Sequence, residues 1–400
     1  MQNPYPALMR VEGGPAFSAA AFVARFPIAM LDIAIVLLVA STTHRYGLAG
    51  AVAATFSVAS ALVQPRLSRV VDRHGQARAV PGQVAVAVVG IVALVVLAGR
   101  QAPAWTLFVA AAIGGGAYPN VGSLVRARWS KALAGRPELL TAYSLESVLD
   151  ELIFVLGPPM VTLLAVWVGP GQALLAAAGV TVIGSAALLV QRSTEPDPTG
   201  NTHYDGPSAI AQPGMRVVIM VLVALGGVFG SIEVVTVALA AQRGAPAQAG
   251  LILALNAGGS LCAGLVYGAQ PPRIALDRQL ILLCSAVPFT VLAFPFVPSI
   301  LALGVLAFLS GLVISPTLIA SFRLVETLVP AEQLTEGLSW ASTGIVFGVS
   351  VAAAVSGRMV DLVGTPHAYV VTTASGILTA LVALAGAPAI RRALARRAAN

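Results

Sequence analysis

Val80 to Gly99 reads VPGQVAVAVVGIVALVVLAG, a run without one acidic or basic side chain. At 1.5 Å per residue a helix of that length is about 30 Å long, the thickness of a bilayer's hydrocarbon core. Working outward by the same criterion, long apolar runs broken by charges predict further spans at 17–40, 48–65, 104–125, 140–167 and 171–190. Beyond the middle of the chain they recur at 215–240, 247–268, 279–297, 300–322, 337–357 and 367–389. The composition agrees. Only 10% of the residues are charged, 58% are hydrophobic and the mean hydropathy is +0.89, whereas a soluble domain carries about a quarter charged residues. The expected fold is all-α, an integral membrane protein of twelve transmembrane helices. It leaves little chain for a soluble catalytic domain.

A net charge of +7 could point to nucleic acid, but in a membrane chain the sidedness of the cations decides what they mean. With the N-terminus inside, the inner segments hold Arg10, the cluster Arg66, Arg69, Arg73 and Arg78, and the cluster Arg126, Arg128, Lys131 and Arg136. Arg192, Arg216, Arg273, Arg278 and Arg323 follow, then the tail with Arg391, Arg392, Arg396 and Arg397. The outer loops hold Arg45, Arg100, Arg243 and Arg358, and Arg25 lies within span 1. The bias places both termini in the cytoplasm and requires an even number of spans; no nucleic-acid partner is expected, and membrane lipid is the surrounding solvent. The first residues lack the order of charge, apolar core and cleavage site that marks a removable signal peptide. Cys262 and Cys284 fall within spans and imply no disulfide or zinc framework. The preference for Arg over Lys, with abundant Ala and Gly, suggests a bacterial origin, hence the cytoplasmic (inner) membrane.

The most polar stretch, Gln191 to Gln212 (QRSTEPDPTGNTHYDGPSAIAQ), reads as a cytoplasmic linker. Six spans precede it and six follow, giving an N-terminal bundle over 1–190, a linker over 191–213 and a C-terminal bundle over 214–400. The halves echo each other. Ala49-Gly50 and Ala249-Gly250 both open a span, 200 positions apart; Pro119 with Arg126 matches Pro316 with Arg323 at an offset of 197; Leu140-Thr141 matches Leu334-Thr335 at 194. Three matches in order imply duplicated six-helix bundles of parallel topology, with a substrate site between the halves.

Between spans 2 and 3 the chain reads PRLSRVVDRHGQAR over Pro65–Arg78. It resembles the signature loop of the major facilitator superfamily, G-x-x-x-D-R-x-G-R-R/K, at Asp72, Arg73, Gly75 and Arg78, and departs from it at Ser68, Gln76 and Ala77. The resemblance implies that this loop latches the two halves in one state, with Asp72 near the start of an opposing helix and Gly75 allowing a tight turn. The second half reads Gly264-Leu265-Val266-Tyr267-Gly268 at the matching place and lacks the acidic residue. Gly157-Pro158-Pro159 in span 5 is similar to the G-P core of a motif in the superfamily's proton-coupled exporters, without its later glycines. Pro158 removes a backbone donor and Gly157 admits a close neighbour; Pro119 and Pro316 are expected to bend spans 4 and 10. Arg25-Phe26-Pro27, Arg126-Ala127-Arg128-Trp129 and Leu145–Glu151 are similar to actinobacterial drug or sugar efflux members of the superfamily.

A charge near the bilayer centre costs roughly 2.5–3.5 kcal/mol on insertion scales, so each such residue needs a partner, water or a function. Arg25 and Asp32, seven apart in span 1, share a face but lie about 10 Å apart along the axis. In span 5, Glu146 and Asp150 stand at i and i+4 on one face with Gly157, and the depths match Arg25, so an Arg25–Glu146/Asp150 cluster is expected. It reads either as a structural ion pair or as a proton site, since a carboxylate in excess of its cation in a poorly hydrated cavity can titrate near neutral pH. Asp32 and Glu233 occupy nearly equivalent places in spans 1 and 7 and are a second candidate pair for a proton or cation; alternatively Glu233 reaches the outer interface beside Arg243. Neutral cavity candidates are Tyr118, Asn120, Asn256, Trp340, Ser342 and Thr343, each of which could instead hydrogen-bond a neighbouring helix.

The reading that results is a monomeric secondary transporter of a small molecule, working by alternating access and exchanging it for protons, with the proton gradient as energy source and neither cofactor nor metal. A sugar or metabolite uniporter or uptake permease is the alternative, and an intramembrane enzyme or signalling protein is the rival from another class. No G-x-x-x-x-G-K-S/T loop occurs to bind ATP, and no H-E-x-x-H or other catalytic constellation is present, so no enzyme is expected.

Overall fold

A computed structural model describes residues 4–198, 208–244, 247–270 and 274–398. The part of the linker over 199–207, with His203, and Arg273 of the inner cations lie outside the described residues. Among the described residues there are helices and no strands, as lipid demands of a chain whose backbone groups must find partners within the spanning segment.

Among the described residues twelve helices are long and apolar enough to cross a membrane: Gly14–Thr43, Leu48–His74, Gln76–Gly99, Ala104–Ala132, Glu138–Val168, Pro170–Val190, Gly214–Ala240, Gln248–Ala269, Leu276–Phe296, Ile300–Leu328, Ala331–Val363 and Thr365–Arg397. We number them spans 1 to 12. Two are longer than the apolar runs suggest in a way that matters. Span 4 continues to Ala132, which brings Arg126 and Arg128 into a helix and buries both (3% and 0% exposed). These are not loop cations. Span 1 is two helices, Gly14–Arg25 and Ile28–Thr43, joined at Phe26-Pro27, so Arg25 and Asp32 do not share the face of one continuous helix.

The prolines act unequally. Pro119 falls in a true break, between the helices Ala104–Gly116 and Val121–Ala132. Pro316 sits inside the unbroken helix Ile300–Leu328, and Pro158 and Pro159 inside Glu138–Val168. Of the two prolines expected to bend their spans, Pro119 stands at an interruption of its helix and Pro316 within a continuous one.

The chain forms two compact units, one of residues 6–136 and 149–204, the other of residues 1–5, 137–148 and 205–400. In the first, span 1 packs on span 6, span 2 on span 4, and span 3 on spans 4 and 6. In the second, span 7 packs on span 12, span 8 on span 10, and span 9 on spans 10 and 12. The pairings are the same six positions on, which gives structural form to the repeat.

Lipid tails are as apolar as leucine, so helices associate through close approach and not through burial from water. The repeat uses one device twice. A Cβ added to Gly115 of span 4 would lie 2.0 Å from the carbonyl oxygen of Phe56 in span 2; one added to Gly311 of span 10 would lie 2.1 Å from that of Asn256 in span 8. Gly115→Val is expected to lower stability by about 1–3 kcal/mol through overpacking, read as a fall in the unfolding temperature of the detergent-solubilised protein. Gly50→Ala, inside a helix and with open space around it, should not lower that temperature.

Candidate functional site

In the first unit the buried charges converge on Asp150. Arg25 Nη1 lies 2.7 Å from one of its carboxylate oxygens and Arg126 Nη2 lies 2.8 Å from the other. The arginines are 4% and 3% exposed and Asp150 is 31% exposed. Each arginine is steadied by its own helix: Arg25 Nε donates to the Ala21 carbonyl and Arg126 Nη1 to that of Gly122. Gly122 is where span 4 resumes after its break, and Asn120 caps that restart by accepting from the Ser123 N–H at 3.2 Å. Asp150 thus ties spans 1, 4 and 5 at one point. Beside it Gly157 brings span 5 against span 1, since a Cβ there would meet the Ala29 side chain at 2.7 Å.

Arg25 and Asp150 pair as the sequence predicts, and Arg126 is a second cation on the same carboxylate. A guanidinium thus stands on each oxygen of Asp150. Glu146, one turn earlier, is fully buried in the stretch 137–148 that belongs to the second unit.

Asp32 stands apart from this cluster. Both its oxygens are 2.8–2.9 Å from the Ser57 hydroxyl of span 2, it keeps an accessible surface, and it forms no ion pair among the described residues. Glu233 in span 7 is exposed and likewise forms no ion pair among the described residues; Arg243 donates to the Val297 carbonyl at 3.3 Å.

The signature loop is built as a turn and a cap. Gly75 adopts φ +86°, ending span 2 and starting span 3 directly. The carboxylate found at the start of span 3 is that of Glu195, which accepts the Ala77 N–H at 3.0 Å. Asp72 is half-buried near the end of span 2, and Arg73 and Arg78 are exposed. Glu195 arrives there because the segment after span 6 is strapped down. Arg128, fully buried, donates to Gln76 at 2.8 Å, to the Gln191 carbonyl at 2.7 Å and to the Thr194 hydroxyl at 2.6 Å, and Lys131 donates to the Glu195 carbonyl at 2.7 Å.

In the second unit the start of span 5 lies against the end of span 8. Thr141 donates to the Gly268 carbonyl at 2.6 Å, Ser144 to that of Gly264, and Tyr5 to that of Leu265 at 2.9 Å. The Gly264–Gly268 pair makes the room, for a Cβ on Gly268 would strike Ser144 at 2.2 Å. Burial pushes the Tyr5 phenol above its ordinary range, against a smaller opposing effect of its bond to Ser144, so it stays a neutral donor.

Of the neutral candidates, Tyr118 is buried with its hydroxyl on Thr181 at 3.0 Å, and Asn256 spends its amide hydrogens on the Ala307 carbonyl and the Ser310 hydroxyl of span 10, both at 2.9 Å. Trp340 donates to Glu336 at 3.4 Å, a buried carboxylate that also receives the Ser208 hydroxyl. Ser342 bonds its own helix at Leu338.

Sequence reading missed Arg126, Arg128, Glu195 and Ser57. A signal existed for the first two: they interrupt an apolar run, Leu124-Val125-Arg126-Ala127-Arg128-Trp129, that is itself helical. Among the described residues no group of three or more His, Cys, Asp or Glu is placed to hold a metal ion.

Two outcomes follow from this geometry. Asp150→Ala, which leaves two buried guanidinium groups without their shared carboxylate, is expected to cost about 3 kcal/mol. Thermal unfolding should show it, with part of the loss recovered in the apolar double variant Arg126→Met, Asp150→Leu. Glu195→Ala removes the cap of span 3 and should cost about 1 kcal/mol; amide exchange of Ala77 and its neighbours should then quicken.

The sequence model of the Major Facilitator Superfamily matches residues 17–269. No curated protein matches the chain's sequence. Among solved structures, a bacterial homologue of the iron transporter ferroportin, in an outward-facing state, is similar at a TM-score of 0.76 and 17% identity, over 94% of this chain and 99% of that one. A point variant of the fucose:proton symporter of E. coli is similar at 0.70 and 10% identity, over 93% and 98%. A human organic anion transporter is similar at 0.66 and 16% identity, over 92% and 99%.

Proposed function

Because this chain belongs to the Major Facilitator Superfamily, and so to a family of transporters and not of enzymes, we propose that it is a secondary active transporter that expels a small molecule in exchange for protons. Asp32 carries the coupling proton, with Glu233 as its counterpart in the second half. The observation that carries this reading is the contrast between two embedded carboxylates. Asp150 is clamped by two arginines, whereas Asp32 has one serine hydroxyl for a partner. A carboxylate inside a span without a cation carries the full cost of its charge, roughly 2.5–3.5 kcal/mol. Taking up a proton removes that cost and releasing it to water restores the ion, which is the cycle an antiporter needs. Asp150 then serves as the joint of spans 1, 4 and 5.

The cytoplasmic side is the one bearing Arg66, Arg69, Arg73 and Arg78, and both termini lie there. The loop at Asp72–Arg78 acts as the latch between halves. Tyr118, Asn120, Asn256 and Trp340 stand near the substrate path, the protein works as a monomer in a bacterial inner membrane, and the proton gradient is its sole energy source. Export is the direction that the Gly157-Pro158 core favours. A proton-coupled sugar permease uses the same parts, and the similarity to a fucose:proton symporter favours that second reading.

A thermal-shift screen across drugs, sugars and amino acids identifies a ligand, and its movement is then followed in proteoliposomes with and without an imposed pH gradient. The gradient should accelerate net transport by wild type. In Asp32→Asn that acceleration should vanish while gradient-free exchange persists; acceleration that survives in Asp32→Asn assigns the coupling elsewhere.

A further inference from the structure

Ser57 is the first of a series. Ser57, Ser60, Gln64, Ser68 and Asp72 recur at spacings of three and four along span 2, so at 3.6 residues per turn they fall within about 120° of one face. The other uncharged polar side chain between Leu48 and Asp72, Thr55, lies on the opposite face and bonds its own helix at Ala51. The column is sheltered: Gln64 and Ser68 are 8% and 5% exposed, while Val58 and Leu62, off the column, are 51% and 63% exposed. From Ser57 to Asp72 it runs about 22 Å along the helix axis.

Two of its members are bonded to each other, Gln64 and Ser60, and its first member is bonded to Asp32. Ser57 holds Asp32, and Gln64 donates to the Ser60 hydroxyl at 2.6 Å and to the Tyr118 carbonyl at 3.4 Å. Arg66 turns back to the Leu62 carbonyl, the Tyr118 phenol is engaged by Thr181, and the amide of Gln83 in span 3 reaches the Leu67 carbonyl. Carboxylates stand at the two ends, Asp32 and Asp72, with Arg69 and Arg73 beside the latter. Polar side chains in a span are costly, and these are gathered on the face that begins at Asp32.

We propose that this column is the path by which Asp32 exchanges protons with the Asp72 side of the membrane. A proton enters at the Asp72 end. Each serine hydroxyl takes one proton on its lone pair and gives up its own, the Gln64 amide orients water between hydroxyls, and the last transfer, from Ser57, leaves the proton on an Asp32 oxygen. Every hydroxyl ends with the proton count it began with. This rests on Asp32 being the coupling carboxylate.

The test needs no transported compound. In proteoliposomes of uniform orientation, a caged proton is released on one side only, and the carbonyl band of protonated Asp32 is followed by time-resolved infrared difference spectroscopy. Loss of the band in Asp32→Asn identifies it; if no band is lost, the coupling reading fails, independently of the path. With the band identified, Ser60→Ala and the near-isosteric Gln64→Met should each slow its rise about tenfold, as expected for a lost hydrogen bond in the path, only when protons are released on the Asp72 side. Its final amplitude should not change, and Thr55→Val should leave the rate alone. An unchanged rate from both sides overturns the proposal and leaves the column as helix-packing glue. Slowing that is equal from both sides overturns it as well.

Discussion

Lipid offers a folding chain neither hydrogen bonds nor a reason to bury apolar surface, so every contact between these helices has to be specific. Two means recur throughout the protein. Glycine removes a side chain so that backbones touch, as at Gly115 against Phe56 and Gly311 against Asn256. Hydroxyl and amide side chains then bond across the contact, as Asn256 does to span 10 and Thr141 to span 8. The same pair of means on matching helices of both units is what a duplicated bundle would retain, because a change to either partner leaves a clash or an unmade bond.

The buried arginines of the first unit are each answered by a partner. Arg25 and Arg126 share Asp150; Arg128 finds Gln76, Gln191 and Thr194. Each of these is a joint between spans and has a structural use. Asp32 is different in kind, since a lone hydroxyl is an incomplete answer to a carboxylate. The contrast separates the carboxylate that joins three spans of the first unit from one that meets a single hydroxyl of a neighbouring span.

The twelve spans, the repeat and the meeting of Arg25 with Asp150 were legible in the sequence because each is a matter of length, order or helical spacing. The partners of charges were not. Arg126 and Arg128 looked like loop cations because a charge ends an apolar run by hydropathy alone, while the helix passes through them to Ala132. Ser57 and Glu195 carry no local sign of their roles; each is defined by what it meets from another helix or from the segment after span 6. Pro119 and Pro316 occupy matching positions, yet only the first interrupts its helix, since whether a proline breaks a span depends on what its neighbours supply.

The strap that carries Glu195 to the start of span 3 also redraws the border between the halves. By composition the connecting segment begins at Gln191. By contacts, Gln191, Thr194 and Glu195 are working parts of the first unit. A chimera that exchanges halves with a relative, or a version expressed as two pieces, would therefore inherit an intact N-terminal half only if the junction falls after these residues and not at the first polar position.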